Sequence, residues 1–172
     1  MKKYKIPIVF SLIVLLVVGF DQLTKFLAVT YLEPVGRVEI IKGVLNFTYV
    51  ENPGAVGGIF ADSPWVFNVI TVLAVAGLTV AAFLGKFNKS KWLASAVAFI
   101  VGGGIGNLID RFFRIGASGY HVVVDFIDVV FIPVWKLVFN IADSFVVVGC
   151  IMIILHCVRE FIIELKSKKE DK

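Results

Sequence analysis

The sequence predicts an all-α integral membrane protein, four transmembrane helices with a small extracytoplasmic β-sheet or hairpin. Three observations predict it. Hydrophobic residues make up 59% of the 172 positions and charged residues 17%, where a soluble domain carries about a quarter charged. Mean hydropathy is +0.93, more apolar surface than a water-soluble chain of this length can bury. The apolar residues also fall into four runs, each close to the ~20 needed to cross ~30 Å of hydrocarbon. No internal repeat, low-complexity tract or shift in composition divides the chain, so 1–172 is expected to be one membrane-embedded unit.

The first run, about 6–28, contains Asp21 and Lys25. Lys2, Lys3 and Lys5 before it resemble the start of a secretory leader. Gly19-Phe20-Asp21-Gln22 is a poor cleavage site, however, and the run is expected to stay as a helix. The second, about 65–84, is uncharged to Leu84. The third, about 92–111, is uncharged from Trp92 to Ile109 and closes on Asp110-Arg111. The fourth, about 137–158, has Asp143 near its start. Each must be helical, because lipid offers no partner to a bare backbone group. Cys150 and Cys157 lie two turns apart in the fourth run, ~10 Å at 1.5 Å per residue, too far for a disulfide. They read as packing thiols.

Basic residues set the orientation. Lys2, Lys3, Lys5, Lys86, Lys89, Lys91, Arg159, Lys166, Lys168, Lys169 and Lys172 fall on one side, predicted to be the cytoplasm with both termini in it. Lys25, Arg37, Lys42, Arg111, Arg114 and Lys136 are spread over longer outer segments. Trp65 and Trp135 then mark the outer boundary and Trp92 the inner one. In the outer segments, Val38–Ile41 and Leu45–Val50 flank Lys42-Gly43 as a hairpin or small sheet. Val122–Val124 is a further β-prone run.

Ionisable residues at membrane depth are costly and tend to be functional. Here they gather at the predicted outer boundary. Asp21, Gln22, Thr24 and Lys25 close the first span; Glu51, Asn52 and Gly54 precede the second. Asn107, Asp110 and Arg111 close the third, Asp125 and Asp128 lie in the second outer segment, and Asn140 and Asp143 open the fourth. Any one of these reads as a cap or a snorkelling group, Asn140 as a cap of the fourth helix and Asp110-Arg111 as a local pair. Several at each helix end exceed what capping needs.

Serine–histidine chemistry fits poorly, since His156 lies toward the other side and His121 has no nucleophile beyond Ser118. A zinc site would need more ligands than these histidines and cysteines bring together. Gly102-Gly103-Gly104-x-Gly106 lacks the strand and the lysine of a phosphate loop and reads as close helix packing. Paired carboxylates remain. Two neighbouring aspartates share a proton, so one takes a proton from water while the other polarises a carbonyl. Asp125 and Asp143 are the natural pair. No metal or cofactor is then needed, and no nucleic-acid partner is expected. A proton-coupled transporter is the alternative, though it wants polar groups near the midplane. A lipid-headgroup transferase would bind Mg²⁺ through close aspartates, for which Asp125 and Asp128 are the available pair.

The residues resemble lipoprotein signal peptidase, the type II signal peptidase of bacteria. The blocks that carry the resemblance are Asp21-Gln22-Leu23-Thr24-Lys25, Asn52-Pro53-Gly54-Ala55, the segment from Gly102 through Asn107 to Asp110-Arg111, Val124-Asp125-Phe126, and Phe139-Asn140-Ile141-Ala142-Asp143. The resemblance implies a catalytic dyad of Asp125 and Asp143, supported by Asp21, Asn52, Asn107, Arg111 and Asn140. Lys25, Gly54 and Asp110 match motif positions too. It further implies a bacterial cytoplasmic-membrane enzyme, sufficient as a monomer among membrane lipids. Its substrate would be a prolipoprotein with a diacylglyceryl cysteine, cut just before that cysteine at the outer face. The chain departs from the family at Val56-Gly57-Gly58, where a bulkier residue is commoner, and this bears on the shape of a lid over the site.

Overall fold

The computed structural model describes residues 5–54, 64–131 and 137–170. Among these are four α-helices and four strands. Helix α1 is Lys5–Leu27, followed by a π-helical turn at Ala28–Leu32; strands β1 and β2 are Arg37–Ile41 and Leu45–Asn52. Helices α2 and α3 are Pro64–Phe83 and Lys91–Phe113. Strands β3 and β4, Val123–Val129 and Val138–Phe139, lead into α4, Ile141–Glu170. All four helices are long and apolar enough to cross a membrane.

The fold is therefore not purely helical. The expected hairpin is half of an antiparallel sheet of order β1-β2-β3-β4. Gly43, at φ +69°, makes the β1–β2 turn. Val123 and Val124 of the run at Val122–Val124 open β3, which pairs with β2 through Val50–Asp125 and Asn52–Val123. Helix α4 begins at Ile141 rather than at 137, because Val138 and Phe139 pair with Asp128 and Ile127 of β3. Its 30 residues reach about 45 Å at 1.5 Å each, so the Lys-rich end outruns the apolar layer.

Helix α3 is the hub. Its glycines let three helices approach on different sides: a Cβ on Gly102 would lie 2.7 Å from Val17 Cβ of α1, and one on Gly104 2.6 Å from Val75 of α2. Gly103 and Gly106 face Ala142 of α4. The sheet lies at the end of the bundle where α1 and α3 finish and α2 and α4 begin. It is seated there by Ala28 and Leu32 of the π turn against Val124 and Phe126. Trp65 opens α2 at this end and Trp92 opens α3 at the other; Trp135 and Lys136 lie outside the described residues, as do Lys2, Lys3 and Lys172. Cys150 and Cys157 are free and exposed on the outside of α4, so they are not packing thiols.

Candidate active site

The first turn of α4 shows how local helix chemistry builds the site. A helix start leaves backbone N–H groups unpaired. Asn140 caps this one: its Oδ1 accepts from the Asp143 N–H at 3.0 Å. Asp143 Oδ2 in turn accepts from the Asn140 N–H at 3.1 Å. This is a capping box with Asn and Asp in place of Ser and Glu. The next free N–H, on Ala142, is taken by Asp21 Oδ1 of α1 at 2.9 Å. The capping reading of Asn140 is thus correct and incomplete. Its Nδ2 also donates to Asp125 Oδ1 at 2.7 Å and to Asn107 Oδ1 at 3.0 Å. Asn140 touches both Asp125 and Asp143, by side chain and by backbone.

Asp125 sits on β3, 2% exposed. Asn52 reaches it diagonally across the β2–β3 ladder, as same-face residues two apart in register do, and donates to Oδ2 at 2.8 Å. The Gly54 N–H holds Asn52 Oδ1 at 3.0 Å, which turns the amide nitrogen toward Asp125. Gly54 itself has φ +137°, a backbone conformation that favours glycine. Burial, and after it the charge of Asp143, push the Asp125 carboxyl up from an ordinary 3.8 to about 7, against the pull of the Asn52 and Asn140 amides and Lys25.

Asn107, on α3, donates to Asp143 Oδ1 at 2.8 Å. Its own Oδ1 receives Lys25 Nζ at 2.8 Å. Lys25 is fully buried and also lies 2.9 Å from Asp21 and 3.3 Å from Asp110. Arg111 is within electrostatic range of Asp125, Asp143 and Asp110. Its guanidinium carbon stands 5.4 Å from the centre of the Phe67 ring on α2, within cation–π distance.

All ten residues singled out from the sequence therefore meet at this end of the bundle. Asp128 does not join them. Thr48 Oγ1 donates to it at 2.9 Å and Arg37 stands 3.8 Å away, so Asp125 and Asp128 serve different neighbours and make no shared cation site. Gln22 is a participant the sequence reading left unassigned. It donates to Asp21 at 3.2 Å, Gly106 O at 3.0 Å and Asp110 at 3.4 Å; its signal was its place between Asp21 and Lys25. Phe67 carried no signal, since an aromatic in an apolar span is ordinary. Residues 55–58, which the sequence reading connected with a lid, lie outside the described residues. An apolar groove of about 530 Å³ adjoins the site, between α1 and the sheet, with Phe20, Leu27, Phe47, Phe126 and Ile141 in its walls.

Comparison with known proteins follows the same outline. A family model described as signal peptidase (SPase) II matches residues 13–159. A lipoprotein signal peptidase of Caldanaerobacter subterraneus subsp. tengcongensis is 45% identical over 141 residues, 82% of this chain and 90% of that one. One from Clostridioides difficile is 38% identical over 160 residues, 92% and 99% of the two chains. Among solved structures, a bacterial membrane enzyme determined by the in meso method at 2.3 Å resolution superposes with a TM-score of 0.76 at 31% identity, over 89% of each chain. A second, at 1.9 Å, gives 0.72 at 32% identity, over 87% of this chain and 92% of that one.

Proposed function

The chain belongs to the signal peptidase II family, a family of lipoprotein-processing membrane peptidases, and on that premise we propose that it is an aspartic peptidase whose dyad is Asp125 and Asp143. The observation that carries this reading is Asn140, which bonds both carboxylates at once. One residue thus holds both acids, and the charge of Asp143 raises Asp125, as in two acids that titrate as a pair.

Asp125 keeps the proton, as its burial favours. Asp143 takes the role of base in the first turn of α4, where the positive end of the helix dipole faces it. Water held between them loses a proton to Asp143 and attacks the scissile carbonyl, while Asp125 donates to the carbonyl oxygen; the adduct then collapses, the C–N bond breaks, Asp143 passes its proton to the leaving nitrogen and Asp125 recovers its own from the adduct's hydroxyl. Arg111 faces the dyad and binds a substrate carbonyl or lipid ester; Asn52, Asn107 and Asn140 hold the carboxylates in place. No cofactor takes part in these steps.

The substrate of this reading is a prolipoprotein with a diacylglyceryl cysteine, cut just before that cysteine. Its acyl chains lie along the apolar flank of the site, where the groove beside Phe126 and Ile141 offers a seat. Cations concentrate in the 86–91 loop and the C-terminal tail, which supports both termini in the cytoplasm and the sheet on the outer face of a bacterial cytoplasmic membrane. The chain acts as one unit and, with the dyad complete within it, as a monomer.

The test is cleavage in detergent, with EDTA present, of a prolipoprotein with and without the diacylglyceryl group. Wild type cleaves the lipidated form much faster. Asp125→Asn and Asp143→Asn fold and lose about 10³-fold or more of the turnover, as loss of an essential catalytic group does. Full activity in either variant would falsify the dyad; equal rates on both substrates would remove the lipid from the reading.

A further inference from the structure

Three charged groups are buried together beside the dyad without touching it. Asp21 and Lys25 are fully inaccessible and Asp110 is 1% exposed. Burying such a cluster costs more desolvation than its mutual attraction reliably returns, and well-packed apolar residues often hold a fold as well. A purely structural role therefore leaves the cluster unexplained.

Its outward bonds explain it. Asp21 Oδ1 accepts from the N–H of Ala142, the residue directly before Asp143, at 2.9 Å. Asp110 Oδ2 accepts from the N–H of Val124, the residue directly before Asp125, at 3.1 Å. Each buried carboxylate thus pegs the backbone beside one dyad aspartate. Lys25 joins the two pegs, at 2.9 and 3.3 Å. It also fixes a third element. A lysine ammonium only donates, so Asn107 must turn its Oδ1 toward Lys25, at 2.8 Å, which leaves Nδ2 for Asp143, at 2.8 Å.

We propose that Asp21, Lys25 and Asp110 form a positioning frame that sets the separation of the two catalytic carboxylates. Asp21 acts through the Ala142 amide, Asp110 through the Val124 amide, and Lys25 locks the two together while orienting Asn107. The pegs come from α1 and α3, and the aspartates they place come from α4 and β3. The frame ties a sheet to a bundle at the point where a small displacement matters most. This rests on the dyad reading above.

The test measures kcat, KM and thermal unfolding on lipidated substrate. Lys25→Met leaves the buried Asp21 without its cation, Asp110 keeping Arg114 at 3.2 Å, and is prone to misfold. The second variant, Lys25→Met combined with Asp21→Asn, conserves the formal charge and an acceptor for Ala142 while removing the lock. It is expected to fold with KM within about twofold of wild type and kcat about 100-fold lower, the scale of a 1 Å misplacement. Lys25→Gln, which keeps a donor toward Asn107, is expected to lose less. A folded double variant with kcat near wild type overturns the frame, as does a parallel fall in stability and activity with no separation of kcat from KM. Failure of the double variant to fold assigns the cluster to folding alone and overturns it too. Asp125→Asn is assayed alongside: if it is active, the dyad reading fails; if it is dead while the double variant is active, the frame alone fails.

Discussion

Two acid–lysine pairs in this protein have the same helical spacing and opposite consequences. Asp21 and Lys25 lie four residues apart near the end of α1, 2.9 Å from each other and both fully buried. Glu164 and Lys168 lie four apart near the end of α4, 2.6 Å from each other with side chains 63% and 69% exposed. The exposed pair is solvated and screened, and contributes roughly 0.3–0.5 kcal/mol. The buried pair has no water to fall back on. Spacing brings the groups together in both cases; what surrounds them decides whether they matter.

The comparison is broken or sharpened first at Lys25. Lys25→Ala strands Asp21 and leaves Asp110 with Arg114, 3.2 Å away, and the expected loss is about 3–5 kcal/mol of stability, read from thermal unfolding in detergent. A loss no larger than that of a surface substitution would erase the distinction between the two pairs. Asn140→Ala comes next. It removes the cap of α4 at a cost of about 1–2 kcal/mol. Because the same side chain holds Asp125, turnover falls further than the stability loss accounts for, which activity measured well below the unfolding temperature checks.

Asn52→Ala is a smaller and more specific probe. The proton on Asp125 leaves near pH 7, so activity is expected to fall as pH rises through about 7. The Asn52 amide holds that value down; removing it moves the alkaline limb of the rate profile upward, by less than about one pH unit on the scale of a single hydrogen bond. A limb that stays put or moves to acid disproves the link. The sign for stability follows. The folded chain binds this proton more tightly than the unfolded one, so Asp125 costs stability increasingly from about pH 4 to about pH 7. At the bottom of the scale, Lys168→Ala changes stability by less than about 0.5 kcal/mol and leaves kcat and KM as they are.

Much of the site was legible because each of its residues is out of place in an apolar chain. Asp21, Lys25, Asn107 and Asp143 stand at ends of spans where a charge or amide needs a reason, and their motif company named the family. The sheet was legible only in part. Val38–Ile41 and Leu45–Val50 read as a hairpin from their own turn, whereas Val138–Phe139 lies inside an apolar run whose period does not separate a short strand from a helix. That strand is what moves the start of α4 to Ile141 and sets Asn140 beside Asp125. The cysteines misled for a related reason: apolar surroundings in sequence do not distinguish a core from the face a bundle turns to lipid.

The sequence by itself determined four long apolar helices and a polar end, and it singled out Asp125 and Asp143 as the proposed pair, because hydropathy and helix-end chemistry are local properties of the chain. Only the tertiary structure decided how those residues work together. Asp125 and Asp143 come from a strand and a helix, joined through Asn140, and their neighbours Val124 and Ala142 are pegged by carboxylates from α3 and α1. Which partners a buried polar group finds depends on the packing of elements distant in sequence, and no spacing along one segment encodes it.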